Sequence, residues 1–158
     1  MKKAKDMAVQ GVVAALYVAV TVALSATSFG PVQFRVSSMM HQLVAYKKRY
    51  AIGLLIGVVI ANAFSPLGVI DVAFGCATSA VGYLAAFVAM KAAKSQIAKD
   101  VIVGVCVTAS TIFVALELHM LYGLPVLATW ATVAAGQAAT QVVGIPVVAA
   151  IDKMVHLS

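Results

Sequence analysis

Hydrophobic residues in this chain fall into six runs, and polar residues are concentrated in the short stretches between them. The runs cover residues 7–24, 36–46, 50–64, 72–90, 101–122 and 126–151. A helix that crosses a bilayer needs about 20 mostly apolar residues, with a range of about 17–25. Four of the runs meet that length, while the second and third are short. The pattern predicts an all-α integral membrane protein with six transmembrane helices, forming a single domain over residues 1–158.

The composition supports a membrane location. The chain is 63% hydrophobic and only 10% charged, whereas a soluble domain carries about 25% charged residues. Its mean hydropathy is +1.05. The net charge of +6 does not require a nucleic-acid partner, because the basic residues lie at the ends of apolar runs. That position is typical of cytoplasmic anchors in a multi-pass protein of the cell membrane.

The distribution of basic residues decides whether the short second run crosses the membrane. The clusters are at residues 2–5, 47–49 and 91–99, with Lys153 near the end of the chain. If the second run crosses, ten of the eleven basic residues lie on one side, and Arg35 is the exception. If it does not cross, the second and third clusters move to the outside together. The positive-inside rule favours six crossings with both termini cytoplasmic.

The predicted outer face consists of three short loops between the runs. The loops cover residues 28–37, 65–71 and 122–125. They contain Gln33, Arg35 and Asp71, which a small ligand arriving from outside meets first. We expect these three side chains to contribute to binding partly through closure of the loops over the ligand.

Polar side chains inside the apolar runs are the stronger sign of a binding site. Glu117 lies about one turn from the outer end of the fifth run, and an acid at the membrane centre costs about 2.5–3.5 kcal/mol. It therefore faces a cavity or a partner, unless it is an interfacial acid in contact with water. His41 and Asn62 lie within the second and third runs, and Gln137 and Gln141 share a face of the sixth. Single amides often join neighbouring helices, but several that converge predict a polar pocket.

Small residues form a stripe along the first run. The stripe consists of Gly11, Ala15, Ala19 and Ala23, each four positions from the next. Small side chains allow another helix to approach closely, which matters in lipid because the hydrophobic effect does not drive helices together there. On the residues alone, packing within the same bundle is the favoured interpretation. Gly53 and Gly57 form a second pair of this kind, also expected to be internal.

The chain carries no motif for catalysis. It has no glycine-rich phosphate loop, no His or Cys residues at metal-ligand spacing, and no nucleophile paired with a base. We expect no enzyme activity, no bound metal and no cofactor. A stand-alone secondary transporter would show inverted repeats or chains of acids, and neither is apparent. These features favour a binding module that depends on a separate motor.

Two motifs resemble those of the QueT family. SFGPVQFRVS at 28–37 is similar to the family's first-loop motif, and ANAFSPLGVIDVAFG at 61–75 is a second and more specific match. The similarity continues through EL at 117–118, GLP at 123–125 and Gly136, so it covers nearly the whole chain.

The resemblance implies the substrate-binding S component of an energy-coupling factor transporter, which takes up queuosine precursors. It implies an S-component-like bundle of six helices in the lipid with a ligand site near the outer face. The implied partners are a transmembrane T component and two ABC ATPases, which use the ATP. It also makes the stripe on the first run a docking surface.

Two positions depart from the family pattern. Ser38 and Gln137 stand where the family typically has Glu, so two acids are missing from the expected pocket. A pocket with Glu117, Gln137 and Ser38 suits a less cationic, hydroxyl-bearing heterocycle at least as well as a cationic deazaguanine. An S component for pyridoxine or hydroxymethylpyrimidine is therefore an alternative. A membrane scaffold or small channel without its own solute is a further alternative.

Overall fold

The computed structural model describes residues 2–28 and 34–155, and every regular element within those ranges is helical. The α-helices are α1 (Lys2–Ala23), α2 (Ser25–Ser28), α3 (Leu43–Tyr46), α4 (Tyr50–Ala63), α5 (Val69–Ala89), α6 (Gln96–Ser110), α7 (Ile112–Tyr122) and α8 (Val126–Val155). Two 3₁₀ helices, Val36–Gln42 and Met90–Ala92, precede α3 and follow α5. We call Val36–Gln42 the 3₁₀ segment. The prediction of an all-α protein is confirmed.

Four helical stretches of the described chain are long and apolar enough to cross a membrane. They are Asp6–Ala23, Val69–Ala92, Gln96–Tyr122 and Val126–Val155. Tyr50–Ala63 is apolar but shorter. The long stretches correspond to four of the six predicted runs.

Several element boundaries differ from the sequence-based prediction, and three of the differences affect the site. The second run is not an α-helix, because most of it forms the 3₁₀ segment. The fifth run is interrupted at Thr111, where α6 ends and α7 begins. The helix of the fourth run, α5, begins at Val69 rather than at residue 72, because Gly68 turns the chain at φ 61° immediately before it. Asp71 therefore belongs to a helix and not to a loop.

Helices α1 and α4 pack closely through the two glycines of α4. A methyl group at Gly53 would lie 2.6 Å from Gln10 Oε1 and 2.8 Å from Gln10 O. One at Gly57 would lie 3.0 Å from Tyr17 Cβ. The Gln10 side chain also accepts a hydrogen bond of 2.9 Å from Gly53 N. Gly53 and Gly57 are thus internal, as predicted.

Contacts between distant residues define the two ends of the bundle. Asp6 in α1 accepts a hydrogen bond of 2.5 Å from Arg49, just before α4, so the N-terminal parts of both helices lie at one end. Lys48, Lys91 and Lys99 line one cavity at that end, which we call the basic end. Arg35 binds Asn62 in the last turn of α4, which marks the opposite end, called here the pocket end.

Candidate binding pocket

A small cavity lies at the pocket end, between α1, the 3₁₀ segment, α5, the α6–α7 junction and α8. Its volume is about 40 Å³, enough for a few water molecules, since each needs roughly 10–15 Å³. Most of the lining side chains are polar. The lining residues are Tyr17, Arg35, Ser38, His41, Asp71, Gly75, Thr78, Ser79, Val107, Thr111, Val114, Val133 and Gln137.

Asn62 holds two elements of the pocket together. Its Oδ1 accepts a hydrogen bond of 2.8 Å from Arg35 Nη1, and its Nδ2 donates one of 3.0 Å to the backbone oxygen of Asp71. The amide needs the space beside Gly75, where a Cβ would lie 1.9 Å from Asn62 Nδ2. Asn62 is 0% exposed and does not line the cavity, so it positions Arg35 and the first turn of α5 from behind.

Two carboxylates are buried beside Arg35. Asp71 is 2% exposed and Glu117 is 0% exposed. Both Glu117 oxygens and Asp71 Oδ2 have no hydrogen-bond partner among the described residues. The charge of Arg35 attracts Glu117 and that of Asp71 repels it, so the three groups form one electrostatic cluster. Glu117 is not an interfacial acid in contact with water, although it lies beside the cavity rather than in its lining.

The two glutamines of α8 have different surroundings although they are one turn apart. Gln141 Oε1 accepts a hydrogen bond of 2.8 Å from Gln42 Nε2, and Gln141 Nε2 donates one of 2.8 Å to Ser38 O. Gln141 therefore fastens the 3₁₀ segment to α8. Gln137 lines the cavity, and its Nε2 has no partner within the described chain.

His41 lies in the cavity wall between two tyrosines. Its Nδ1 forms a hydrogen bond with the Tyr83 hydroxyl, and its ring lies 5.8 Å from the Tyr17 ring, centroid to centroid. All three residues are at most 3% exposed. With Nδ1 occupied by Tyr83, Nε2 is the ring nitrogen left for a ligand.

The structure brings most of the predicted site residues together. Arg35, His41, Asp71 and Gln137 line the cavity, and Asn62 and Glu117 lie directly behind it or beside it. Gln33 lies outside the described residues. The placement of Asp71 in an outer loop was wrong, because this residue is buried in the first turn of α5, where its charge is favourable at the helix N-terminus.

Sequence reasoning missed four polar lining residues. They are Tyr17, Thr78, Ser79 and Thr111. Each has a hydroxyl group in an apolar run, which is a weak signal because Ser and Thr in helices often bond to their own backbone. Thr78 does so, with its Oγ1 2.8 Å from Phe74 O.

The stripe of small residues on α1 faces away from the bundle. Gly11, Ala15, Ala19 and Ala23 are all exposed, and a methyl group at Gly11 would meet nothing within 4 Å. The opposite side of α1 packs inside, with Ala14 5% exposed. Internal packing of the stripe, favoured on the residues alone, was therefore wrong.

Comparison with known proteins identifies similar chains over the full length. A family model described as QueT transporter matches residues 7–153. The queuosine precursor transporter QueT of Lactococcus lactis subsp. cremoris (strain MG1363) is 34% identical over 169 aligned residues. That alignment covers 100% of this chain and 99% of the relative. No solved structure matches. Both similarities include every element that lines the cavity.

Proposed function

This chain belongs to the QueT transporter family, and we propose that it is a substrate-binding S component that captures a queuosine precursor from outside the cell. It is a multi-pass membrane protein. The observation that carries the proposal is the set of unpaired polar atoms around one cavity. Four of the seven unpaired buried side-chain atoms among the described residues belong to Asp71, Glu117 and Gln137.

The unpaired atoms favour a ligand with many N–H donors. Three are carboxylate oxygens, which accept hydrogen bonds, and one is the amide nitrogen of Gln137, which donates. A 7-deazaguanine ring offers several N–H donors along one edge and a carbonyl oxygen beside them. Its donors match the acids, and its carbonyl matches Gln137 or Arg35. Pyridoxine carries fewer N–H groups.

A second ligand class is favoured by one feature of the cavity wall. Ser38 and Gln137, the two positions where acids are missing from the family pattern, both line the cavity. A hydroxyl and an amide there suit the hydroxymethyl groups of pyridoxine or hydroxymethylpyrimidine. Pyridoxine and hydroxymethylpyrimidine are therefore compared with queuosine precursors by calorimetric titration.

The cavity has to widen when a ligand binds. Its volume of about 40 Å³ is far below the 300–1,000 Å³ of typical ligand pockets. Glu117 is fully buried, so it reaches a ligand only after such a change. We therefore expect slow association, because binding that requires a conformational change has a reduced on-rate.

The proposed topology has six crossings with both termini on the cytoplasmic side. Its support is that the N-terminal parts of α1 and α4 meet at the basic end through Asp6 and Arg49. Between Asp6 and Arg49 the chain reaches the pocket end at Arg35, so it must cross back to the basic end before α4 begins. A 3₁₀ helix rises about 2.0 Å per residue, so the 3₁₀ segment and α3 together reach roughly 20 Å.

The proposed partners are a transmembrane T component, which docks on the α1 stripe, and two ABC ATPases, which hydrolyse ATP. No enzyme activity and no cofactor are assigned to this chain itself. The stripe supports docking because its small residues are exposed, and small residues allow close helix contact in lipid.

Calorimetric titration of the purified protein with queuosine precursors, pyridoxine and hydroxymethylpyrimidine tests the ligand. The proposal predicts that a deazaguanine binds tightest and competes with the other compounds. If one of the vitamins binds tightest, the proposed ligand is wrong, but the proposed role as a transporter subunit stands. No binding of any compound, together with no small molecule retained in mass spectrometry, would favour a scaffold or channel.

Ala19→Trp tests the docking surface, with Ala85→Trp as the matched control. Both alanines are exposed, but Ala85 lies on α5, away from the stripe. We expect Ala19→Trp to abolish uptake and copurification with the ATPases while ligand binding persists, and Ala85→Trp to leave all three unchanged. Loss of ligand binding in Ala19→Trp with an intact complex would contradict docking on the stripe.

A further inference from the structure

A second cavity lies at the basic end of the bundle, on the side opposite the binding pocket. Its volume is about 200 Å³, five times that of the pocket. Its walls come from α3 with the turn that follows it, the last part of α5 with the following 3₁₀ turn, and the beginning of α6. No substrate role is assigned to it, because the polar cluster with the unpaired carboxylates is at the other end.

Three lysines from three separate segments converge on this cavity. Lys48, Lys91 and Lys99 line it, and no acid is among the lining residues within the described part of the chain. The neighbouring Asp100 is 2% exposed and accepts a hydrogen bond of 2.9 Å from Gln96, so this carboxylate is held below the surface. The charge of Asp152, on α8, also acts on Tyr46 in the cavity wall. Three lysines therefore face two acids, and the cavity keeps a net positive charge.

The remainder of the cavity wall is apolar and aromatic. Phe87 and Met90 contribute to it, and Lys48 Nζ lies 5.3 Å from the centre of the Phe87 ring. The last turns of α5 also carry Val88, which is 67% exposed and faces outward. A ligand with a negative head and a hydrocarbon tail matches this combination, because lysine stems cover apolar surface while their ammonium groups remain near water.

We propose that this cavity binds an anionic phospholipid, with the headgroup phosphate among Lys48, Lys91 and Lys99 and the acyl chains against the apolar surface of α5. Basic pockets between helices on the cytoplasmic side are suited to anionic headgroups. The apolar wall is the reason for choosing a lipid over a soluble anion, since inorganic phosphate uses only the lysines. The topology proposed above places this end in the cytoplasmic leaflet, but the inference does not depend on the transported solute.

The test compares phosphatidylglycerol with phosphatidylcholine of the same acyl chains, added to delipidated protein and measured by native mass spectrometry. The variant replaces Lys48, Lys91 and Lys99 with Gln. The matched control replaces Lys47, Lys94 and Lys153 with Gln, which removes the same charge outside the cavity. Circular dichroism and the unfolding midpoint show whether each variant is folded, and partial variants Lys48→Gln and Lys91→Gln replace the triple variant if it is not.

We expect wild type and the control to retain phosphatidylglycerol over phosphatidylcholine, and the cavity variant to lose about 100-fold in affinity, roughly five-fold for each lysine. Equal retention of the two lipids, or equal loss in the variant and the control, would overturn the proposal. Displacement of phosphatidylglycerol by millimolar inorganic phosphate would also overturn it and indicate a free anion site. Unchanged lipid retention with loss of the ATPase complex would instead make the cavity a partner contact.

Discussion

Gln137 and Gln141 occupy the same face of α8 one turn apart, yet they differ in their hydrogen bonds. We call a side-chain amide saturated when both its oxygen and its nitrogen have a hydrogen-bond partner, and only one of the two is. Both oxygen and nitrogen of Gln141 form hydrogen bonds, to Gln42 and Ser38. The nitrogen of Gln137 has no partner within the described chain, although the residue is only 8% exposed. The same contrast separates Asn62, bonded at both ends, from Glu117, bonded at neither.

The contrast divides structural from ligand-binding polar residues. A buried polar group without a partner costs about 1–3 kcal/mol, so most are paired in native proteins. Unpaired groups that cluster around one cavity are explained if a ligand completes their hydrogen bonds. Saturated residues should then support stability, and unsaturated residues should support affinity at little cost to the stability of the ligand-free protein.

The largest expected effect on affinity is that of Glu117→Gln. The variant keeps the shape of the side chain but loses its charge and turns one acceptor into a donor. We expect affinity for the best ligand to fall by about 10- to 100-fold, since hydrogen bonds to charged groups contribute about 1.5–3 kcal/mol. The unfolding midpoint of the ligand-free protein should be unchanged or higher. Calorimetry and thermal unfolding measure the two quantities.

Asp6→Asn is the control for that variant. It also removes one acid, but at the basic end, where Asp6 forms an ion pair with Arg49 that is partly exposed and worth little. The dissociation constant should equal that of wild type. An unchanged dissociation constant in Glu117→Gln would remove Glu117 from the site.

Asn62→Ala should weaken binding less, by about 3- to 10-fold, because Asn62 acts by positioning Arg35 and α5 and does not contact the ligand itself. It should also lower the unfolding midpoint, since Arg35 and the Asp71 backbone each lose a hydrogen bond. An affinity loss greater than that of Glu117→Gln, with stability intact, would place Asn62 in direct contact with the ligand instead.

The smallest effects, and the closest comparison, come from Gln137→Leu and Gln141→Leu. Gln137→Leu removes an unpaired donor, so the ligand-free protein should be as stable as wild type while affinity falls about 2- to 10-fold. Gln141→Leu deprives Gln42 and Ser38 of a partner, so the unfolding midpoint should fall. If the two variants change stability and affinity equally, the distinction between the two groups is wrong.

The sequence predicted the helical runs and the convergence of Arg35, His41, Asp71 and Gln137, because membrane spans and polar interruptions are local patterns. It could not predict which glutamine is saturated, since Gln42 and Gln141 meet across 99 positions of the chain. The residues alone favoured the wrong orientation for the α1 stripe, whereas the family resemblance implied the exposed one that the structure has. Gly11 and Gly53 both belong to small-residue patterns, and only the packing of α1 on α4 determines which pattern is covered.

The 3₁₀ segment was also beyond sequence reasoning. Its composition suits an α-helix, but α8 holds it through Gln141 and approaches it closely at Gly144, where a Cβ would lie 2.9 Å from Met39 O. Such tertiary contacts override local propensity. Ser38 and His41 face the pocket from this segment, so its conformation affects the site directly.

A structure of the protein with its tightest-binding ligand would show whether the unpaired groups around the cavity bind that ligand. We expect a heterocycle in a widened cavity between Arg35, His41, Asp71 and Gln137, with N–H groups donated to the Glu117 carboxylate and a ligand oxygen accepting from Gln137 Nε2. A ligand bound elsewhere, with the Glu117 and Gln137 side chains unchanged and still unpaired, would contradict it.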